Sequence, residues 1–253
     1  MGRIIAITNQ KGGVGKTTTA INLCASLAAA EKRTLLVDMD PQGNATSGMG
    51  IDKQALPVTV YDVLFDPATV RDAIVDTVMP FLRLLPSNQQ LTGAEVELVN
   101  QEHREFKLKN ALLAIKGEYD YMIVDCPPSL GLLTVNVLSA ADSLLIPVQC
   151  EYYALEGLGH LLGTVRMVQS RLNPNLDIEG VLLTMYDKRL NLATQVVEET
   201  ISYFGDKVYH TIIPRNVRLS ESPSFGKPII LYDIQCQGAK SYLELAKEVI
   251  ASA

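Results

Sequence analysis

Apolar positions along this chain follow two alternating rhythms. Short runs rich in β-branched residues and leucine recur at Arg3–Thr8, Arg33–Asp38, Phe81–Pro86, Tyr121–Asp125, Ser143–Val148, Asp177–Thr184 and Val208–Ile213. Their nearly continuous apolar character predicts strands buried on both faces. Between most of them apolar residues return every three or four positions, at Thr17–Ala30, Arg104–Ile115, Leu130–Ala140, Leu155–Leu172, Leu192–Phe204 and Ala239–Ala251, which predicts helices. Strand followed by helix, repeated, specifies an α/β fold: a mostly parallel, twisted sheet with helices on both faces. Gln42–Leu64 is polar and turn-rich, and is expected to be mobile surface structure after the second strand. No internal repeat, low-complexity tract or Gly/Ser/Pro linker divides the chain, so residues 1–253 are expected to form a single domain.

The first strand leads into Gln10-Lys11-Gly12-Gly13-Val14-Gly15-Lys16-Thr17-Thr18-Thr19, and a helical run follows at once. That order suits a phosphate-binding loop. Glycines let the backbone wrap with its N–H groups inward, and the helix N-terminus adds about half a positive charge. ATP is the expected ligand, held by Lys11, Gly12, Gly13, Val14, Gly15, Lys16, Thr17 and Thr18. Lys16 is placed to reach the β- and γ-phosphates, and the Thr17 hydroxyl to ligate Mg²⁺. Where the general P-loop pattern has its first glycine, this chain has Gln10, and Lys11 adds a second lysine inside the loop.

Two further strands end in carboxylates: Leu35-Leu36-Val37-Asp38-Met39-Asp40, and Ile123-Val124-Asp125. Strand ends form the rim where open α/β sheets bind ligands. Mg²⁺ usually takes one or two carboxylates together with phosphate oxygens and water, which makes Asp125, directly or through water, the partner of Thr17. Asp40 is left to orient the attacking water. Asp38 alone reads either as part of this constellation or as the cap of the turn that follows it.

The segment Lys11-Gly-Gly-Val-Gly-Lys16-Thr17 resembles the deviant Walker A motif of the ParA/MinD family of P-loop NTPases. Within that family Asp40-Pro-Gln-Gly-Asn-Ala-Thr-Ser-Gly48, Asp125-Cys-Pro-Pro-Ser-Leu-Gly-Leu132, Pro147-Val-Gln-Cys-Glu-Tyr-Tyr-Ala-Leu-Glu-Gly157 and Pro214-Arg-Asn-Val-Arg-Leu-Ser-Glu221 are similar to the chromosome-partitioning ParA, or Soj, group. The resemblance covers essentially the whole chain. It implies an ATP-dependent sandwich homodimer in which Lys11 reaches the nucleotide of the other subunit and Gly12 leaves room at a crowded interface. It also assigns Asp40 to hydrolysis, with switch regions around Asp38–Thr46 and Asp125–Gly131. Non-specific binding of double-stranded DNA by the ATP dimer is implied, with Arg189 and Arg218 as contacts, as are stimulation of a slow ATPase by a ParB-type protein and release from DNA. Adenine and ribose are expected beside Pro214, Arg215 and Asn216, although Thr184-Met185 stands where related ATPases commonly place an asparagine.

Charge qualifies the DNA expectation. The chain carries 22 basic and 28 acidic residues, a net charge of −6, and its C-terminal part from Thr184 onward is neutral. Binding to DNA should therefore be weak, salt-sensitive and without base readout. Four scattered cysteines with no C-x-x-C pair argue against a zinc or iron–sulfur site and read as buried thiols. No apolar run long enough to span a bilayer and no signal-peptide pattern occurs, so a cytoplasmic, nucleoid-associated protein without a membrane partner is expected. The alternative, a MinD-like membrane-associated positioning ATPase, needs a basic amphipathic C-terminal helix. Here two lysines are matched by two glutamates after Ala239, and Leu243, Ala246, Val249 and Ile250 read as a core stripe. An electron carrier of the nitrogenase-reductase kind would need paired cluster cysteines, and a nucleotide-gated scaffold would show no turnover.

Overall fold

A computed structural model describes residues 2–151 and 156–252; the side chains of residues 156 and 157 are likewise outside the description. Strands β1 (Arg3–Ile7), β2 (Thr34–Asp38), β3 (Val75–Asp76), β4 (Leu82–Leu85), β5 (Tyr121–Asp125), β6 (Ser143–Gln149) and β7 (Asp177–Thr184) form one sheet in the order β3-β4-β2-β5-β1-β6-β7. All neighbours are parallel except β3, which runs antiparallel to β4 at the edge. The chain starts in the interior at β1, and later strands add on either side of it. The carboxyl ends of β1, β2 and β5 therefore share one rim.

Every residue of β2 and β5 is buried, and successive side chains go to opposite faces. Ile4, Ala6, Leu35, Val37 and Val124 join one apolar cluster, with Val60, Leu108, Val137 and Leu161 from the helices on that side. Ile5, Ile7, Leu36 and Ile123 join the other, with Leu23, Leu27, Tyr242 and Leu245. That second face is covered by helix α1 (Lys16–Ala29) and the C-terminal helix Gln237–Ala251, tied together by a 3.1 Å hydrogen bond between the hydroxyls of Thr19 and Tyr242. The six expected helices appear with ends shifted by a few residues, the longest being Glu156–Arg171. Leu155, where that helix was expected to start, and Tyr152–Leu155 of the family-like stretch lie outside the described residues.

Two expectations are corrected. Val208–Ile213 is not a strand: it touches the sheet through isolated parallel bridges, Val181 to Val208 and Tyr186 to Pro214. The reason is a side chain. The amides of Tyr209 and Ile213 donate to the Val181 and Leu183 carbonyls of β7 (3.0 and 2.9 Å), but between them Glu248 accepts from the amides of His210 (2.9 Å) and Thr211 (2.8 Å), so a carboxylate interrupts the ladder. Gln42–Leu64 is not simply exposed loop either. It holds the helices Asn44–Gly48 and Val60–Phe65, and buries Ala45, Thr46, Met49, Val60, Val63 and Leu64. The second of these starts with a capping box, in which Thr59 and Asp62 satisfy each other's backbone amides.

Candidate functional site

The loop after β1 is held from several sides. The Asn9 side chain accepts from the Lys11 amide (3.0 Å) and donates to the Pro147 carbonyl (2.7 Å). Thr184, at the end of β7, donates from its hydroxyl to the Val14 carbonyl (2.9 Å). Gly13 and Gly15 take φ of +75° and +88°, a region that side chains with a Cβ seldom enter, and Gly15 caps the start of α1. The first amide of that helix to find an acceptor is Thr19, which donates to the Gly15 carbonyl (2.8 Å). The amides ahead of it, from Gly12 on, make no hydrogen bond among the described residues. Unpaired amides at a helix N-terminus form a ready anion cradle. Lys16 lies over the loop, its Nζ donating to the Lys11 carbonyl at 3.0 Å; burial lowers its pKa, opposed chiefly by Asp125.

Register places Asp125 opposite both Ile7 and Asp38. Its carboxylate is fully buried, and neither oxygen has a hydrogen-bond partner among the described residues. Burial, reinforced by the charge of Asp38, pushes its pKa far above the usual carboxylate range, while the nearby Thr17 hydroxyl and Lys16 pull the other way. A carboxylate buried without donors, beside a hydroxyl and under an anion cradle, is a fitting ligand for a hard divalent cation.

Of the two readings open for Asp38, the turn-holding one is observed. Its oxygens accept from the Thr46 hydroxyl (2.7 Å), the Thr46 amide (2.8 Å) and the Asp40 amide (3.2 Å). Burial pushes it up to about 6 in spite of these bonds. Thr46 also accepts from the Ser87 amide, and the Ser87 hydroxyl donates to the Asp40 carbonyl. Asp40 itself is buried except for a sliver of its surface and accepts from the Gln42 amide at 2.9 Å. It acts electrostatically on both Lys16 and Asp125, so the three groups share one locus.

Beside the loop, a cavity of about 310 Å³ is lined by Gly15, Thr18, Met185, Pro214, Arg215 and Asn216 among others. The Asn216 oxygen is engaged in capping the short helix Val217–Glu221 through the Arg218 amide (2.9 Å). Lys11 and Arg215 converge on Glu151, at 3.9 Å and 3.6 Å. Arg189 and Arg218 stand on the surface, 81% and 54% exposed in their side chains, each beside carboxylates: Asp187 for the first, Glu221 and Asp233 for the second. Arg189 holds the Asp187 carboxyl well below its usual range. Three cysteines are buried as expected, whereas Cys236 is half-exposed and caps the C-terminal helix through its sulfur.

Residues 2–178 match a family described as an AAA domain. The sporulation initiation inhibitor protein Soj of Bacillus subtilis is 65% identical over 252 residues, all of both chains. The chain belongs to the Soj/ParA family. A second Soj/ParA relative, the chromosome partitioning protein ParA of Myxococcus xanthus, is 61% identical over 99% of this chain and 88% of its own. In fold, the chain is similar to the cobyrinic acid a,c-diamide synthase of Mycobacterium smegmatis with bound ATP analog and magnesium. That likeness has a TM-score of 0.87 at 38% identity, covering 99% and 95% of the two chains. The sheet and loop are thus those of a deviant Walker A P-loop NTPase. Sequence reasoning about this Soj/ParA chain missed Asn9, Thr46, Ser87 and Thr184, which hold the loops in place. Only Asn9, two residues ahead of Lys11, carried a readable signal, that of an Asx turn.

Proposed function

We propose that this chain is a Mg²⁺-dependent ATPase of chromosome or plasmid partition. In this reading ATP binding drives formation of a homodimer that holds DNA without sequence preference. The observation that carries it is the Asp125 carboxylate, buried and without a donor at the foot of the phosphate loop. Mg²⁺ when bound supplies the positive partner that this carboxylate lacks and neutralises charge on the phosphates. Asp125, directly or through water, and the Thr17 hydroxyl hold it. The amides from Gly12 to Thr18 and the Lys16 ammonium bind the phosphates, and Pro214, Arg215 and Asn216 flank the base and ribose. Asp40, steadied by the Gln42 amide, orients the attacking water.

Lys11 is assigned to the nucleotide of the second subunit. Its side chain is partly exposed and, among the described residues, is held by a 3.9 Å contact to Glu151 alone, so little binds it to its own chain. A Cβ added at Gly12 would meet nothing within 4 Å, which supports a role for its bareness against another molecule instead of within this fold. Arg189 and Arg218 are the DNA contacts in this reading. Exposed ion pairs such as theirs contribute at most about 1 kcal/mol, so phosphates can take over the guanidinium groups. A dimer doubles these weak contacts and so couples DNA affinity to ATP. Turnover is slow alone and raised by a ParB-type partner, and the chain acts as one domain, cytoplasmic and on the nucleoid.

The MinD-like reading is less favoured. The apolar face of Gln237–Ala251, with Tyr242, Leu245, Ala246 and Val249, is buried within the second core cluster. Among the described residues no helix is long and apolar enough to cross a membrane. The deciding experiment is co-sedimentation of the Asp40→Ala variant with unrelated DNA fragments in ATP and in ADP. ATP-dependent binding indifferent to sequence supports the proposal. No binding in low salt by a variant that is dimeric in light scattering refutes it.

A further inference from the structure

Asp40 opens a tight turn, Asp40-Pro41-Gln42-Gly43, closed by the Gly43 amide on the Asp40 carbonyl at 2.8 Å. Pro41 and Gly43 suit the second and fourth positions of such a turn, so it can form from its own residues. The Asp40 amide donates to Asp38 at 3.2 Å, and one Asp40 carboxylate oxygen accepts from the Gln42 amide at 2.9 Å. Bonds within so short a stretch move with it and do not fix the direction in which Asp40 faces. An anchor from another strand does so. β4 ends at Leu85, whose register partner on β2 is Val37, so two residues later Ser87 arrives next to the Asp40 turn. Its buried hydroxyl donates to the Asp40 carbonyl at 2.8 Å, and its own carbonyl lies so close to Gly43 that a Cβ there would come within 2.9 Å of it.

Ser87 is itself held on both sides. Its amide donates to the Thr46 hydroxyl (2.9 Å), which in turn donates to Asp38 (2.7 Å). The Pro86 carbonyl just before it accepts from the Val60 amide (2.9 Å), at the start of the helix Val60–Phe65. The Asp40 carbonyl already has a donor in Gly43, so the Ser87 hydroxyl is not needed to satisfy it; a second bond to the same oxygen adds direction. We propose that Ser87 is a positioning residue for ATP hydrolysis, whose hydroxyl holds the Asp40 turn so that the carboxylate faces the attacking water, an inference that rests on the assignment of that water to Asp40. The second Asp40 oxygen, which makes no hydrogen bond among the described residues, is the one left to the water. Phosphoryl transfer depends on alignment, so a loosened turn slows the chemical step and leaves nucleotide binding, the task of the glycine loop, as it was.

Hydrolysis of radiolabelled ATP with Mg²⁺ is measured for the full chain, Ser87→Ala, Ser87→Thr, Asp40→Ala and the Ser87→Ala, Asp40→Ala double variant. Thr200→Val is the control, since it removes a buried hydroxyl bond on the helix Asn191–Phe204, away from the loop. Ser87→Ala takes away one oxygen and leaves the bonds of its backbone in place, and thermal melting confirms that each variant folds. Its kcat is expected to fall about tenfold with KM within about twofold of the parent, the mark of an interaction needed in the chemical step alone. Ser87→Thr, which restores the hydroxyl, should recover most of the rate, Thr200→Val should keep it, and Ser87→Ala should add no loss once Asp40 is alanine. A parental rate in Asp40→Ala would refute the assignment of the water and this inference with it. Where Asp40→Ala is slow, the role of Ser87 alone is overturned by a parental kcat in Ser87→Ala, a loss confined to KM, or a further loss in the double variant. A folded Ser87→Thr as slow as Ser87→Ala, or an equal loss in Thr200→Val, would overturn it as well.

Discussion

Replacing Asp125 with asparagine should make the protein more stable and less able to use Mg²⁺, an outcome opposite to that of most changes to a buried polar residue. Asp38 provides the scale. It has three donors and is still pushed up to about 6 by burial, and against an ordinary carboxyl near ~3.9 this amounts to about 3 kcal/mol. Asp125 is equally buried, and neither of its oxygens has a hydrogen-bond partner among the described residues, so its ionised form is opposed on the same scale. Asparagine removes the charge but leaves an amide without partners, which returns about 1–2 kcal/mol. The net gain near pH 8 is then about 1–2 kcal/mol, or a rise in Tm of about 2–8 °C for a chain of this size.

The sign reverses with acid. A carboxyl whose folded pKa is raised destabilises the fold above its ordinary pKa, and this contribution disappears as pH falls through that value. The advantage of the variant should therefore shrink as pH falls towards the ordinary carboxylate range, and near pH ~4 the unpaired amide should leave it the less stable protein. Excess Mg²⁺ and ATP should reverse the order at pH 8 too. At about one hundred times Kd they add roughly 2.7 kcal/mol to the parent chain, and little to a variant that cannot hold the cation. Calorimetry at several pH values, with and without Mg²⁺-ATP, reads all of this. A variant less stable than its parent at pH 8, with a difference that does not change with pH, would refute the account of Asp125 as a charge waiting for a metal.

Gly12→Val should melt within about 1 °C of the parent chain, because a Cβ there has open space around it, yet remain monomeric in ATP by light scattering; a large loss of stability would show that the position serves the fold itself. Arg189→Ala combined with Arg218→Ala should leave the ATP dimer intact and abolish its DNA binding, and in single variants the slope of log affinity against log salt should fall by about two per dimer; retained affinity would move the contact face elsewhere. Thr46→Val should raise the Asp38 pKa above about 6 and cost about 2–3 kcal/mol, since it removes one of the hydrogen bonds that oppose burial. Unchanged urea denaturation would show that the Asp38 network is slack.

What could be read from the sequence was whatever local chemistry alone determines. The strands β1, β2, β5, β6 and β7 are apolar whichever face they present, so their runs stood out, and the phosphate loop is written in consecutive residues. The failures share a physical cause. Val208–Ile213 has the composition of a strand, but Glu248 on the last helix takes up two of its amides, those of His210 and Thr211, and no local pattern announces a carboxylate arriving from that distance. Gln42–Leu64 looked like loop because its buried residues sit in two short clusters, around Ala45–Met49 and Thr59–Leu64, parted by polar, turn-rich sequence; the Thr59–Asp62 capping box was legible there and shows how a short helix starts. The loss of freedom of Asp38 depends on Thr46 folding back over it, and the unanswered charge of Asp125 depends on what fails to approach, which only the assembled rim reveals.

The Thr19–Tyr242 bond and the packing of Gln237–Ala251 on α1 have a consequence for synthesis. The phosphate loop is among the first parts of the chain to leave the ribosome, yet the helix that carries it has its outer face covered only when Gln237–Ala251 emerges. Thr184 and Pro214, which brace the loop and flank the adjoining cavity, arrive late as well. The helix behind the loop is thus fully packed only once translation has reached the last helix. A chain cut short before Gln237 carries the whole glycine loop with Asn9 and Thr184 beside it, yet leaves open to solvent the face of α1 that Tyr242 and Leu245 cover.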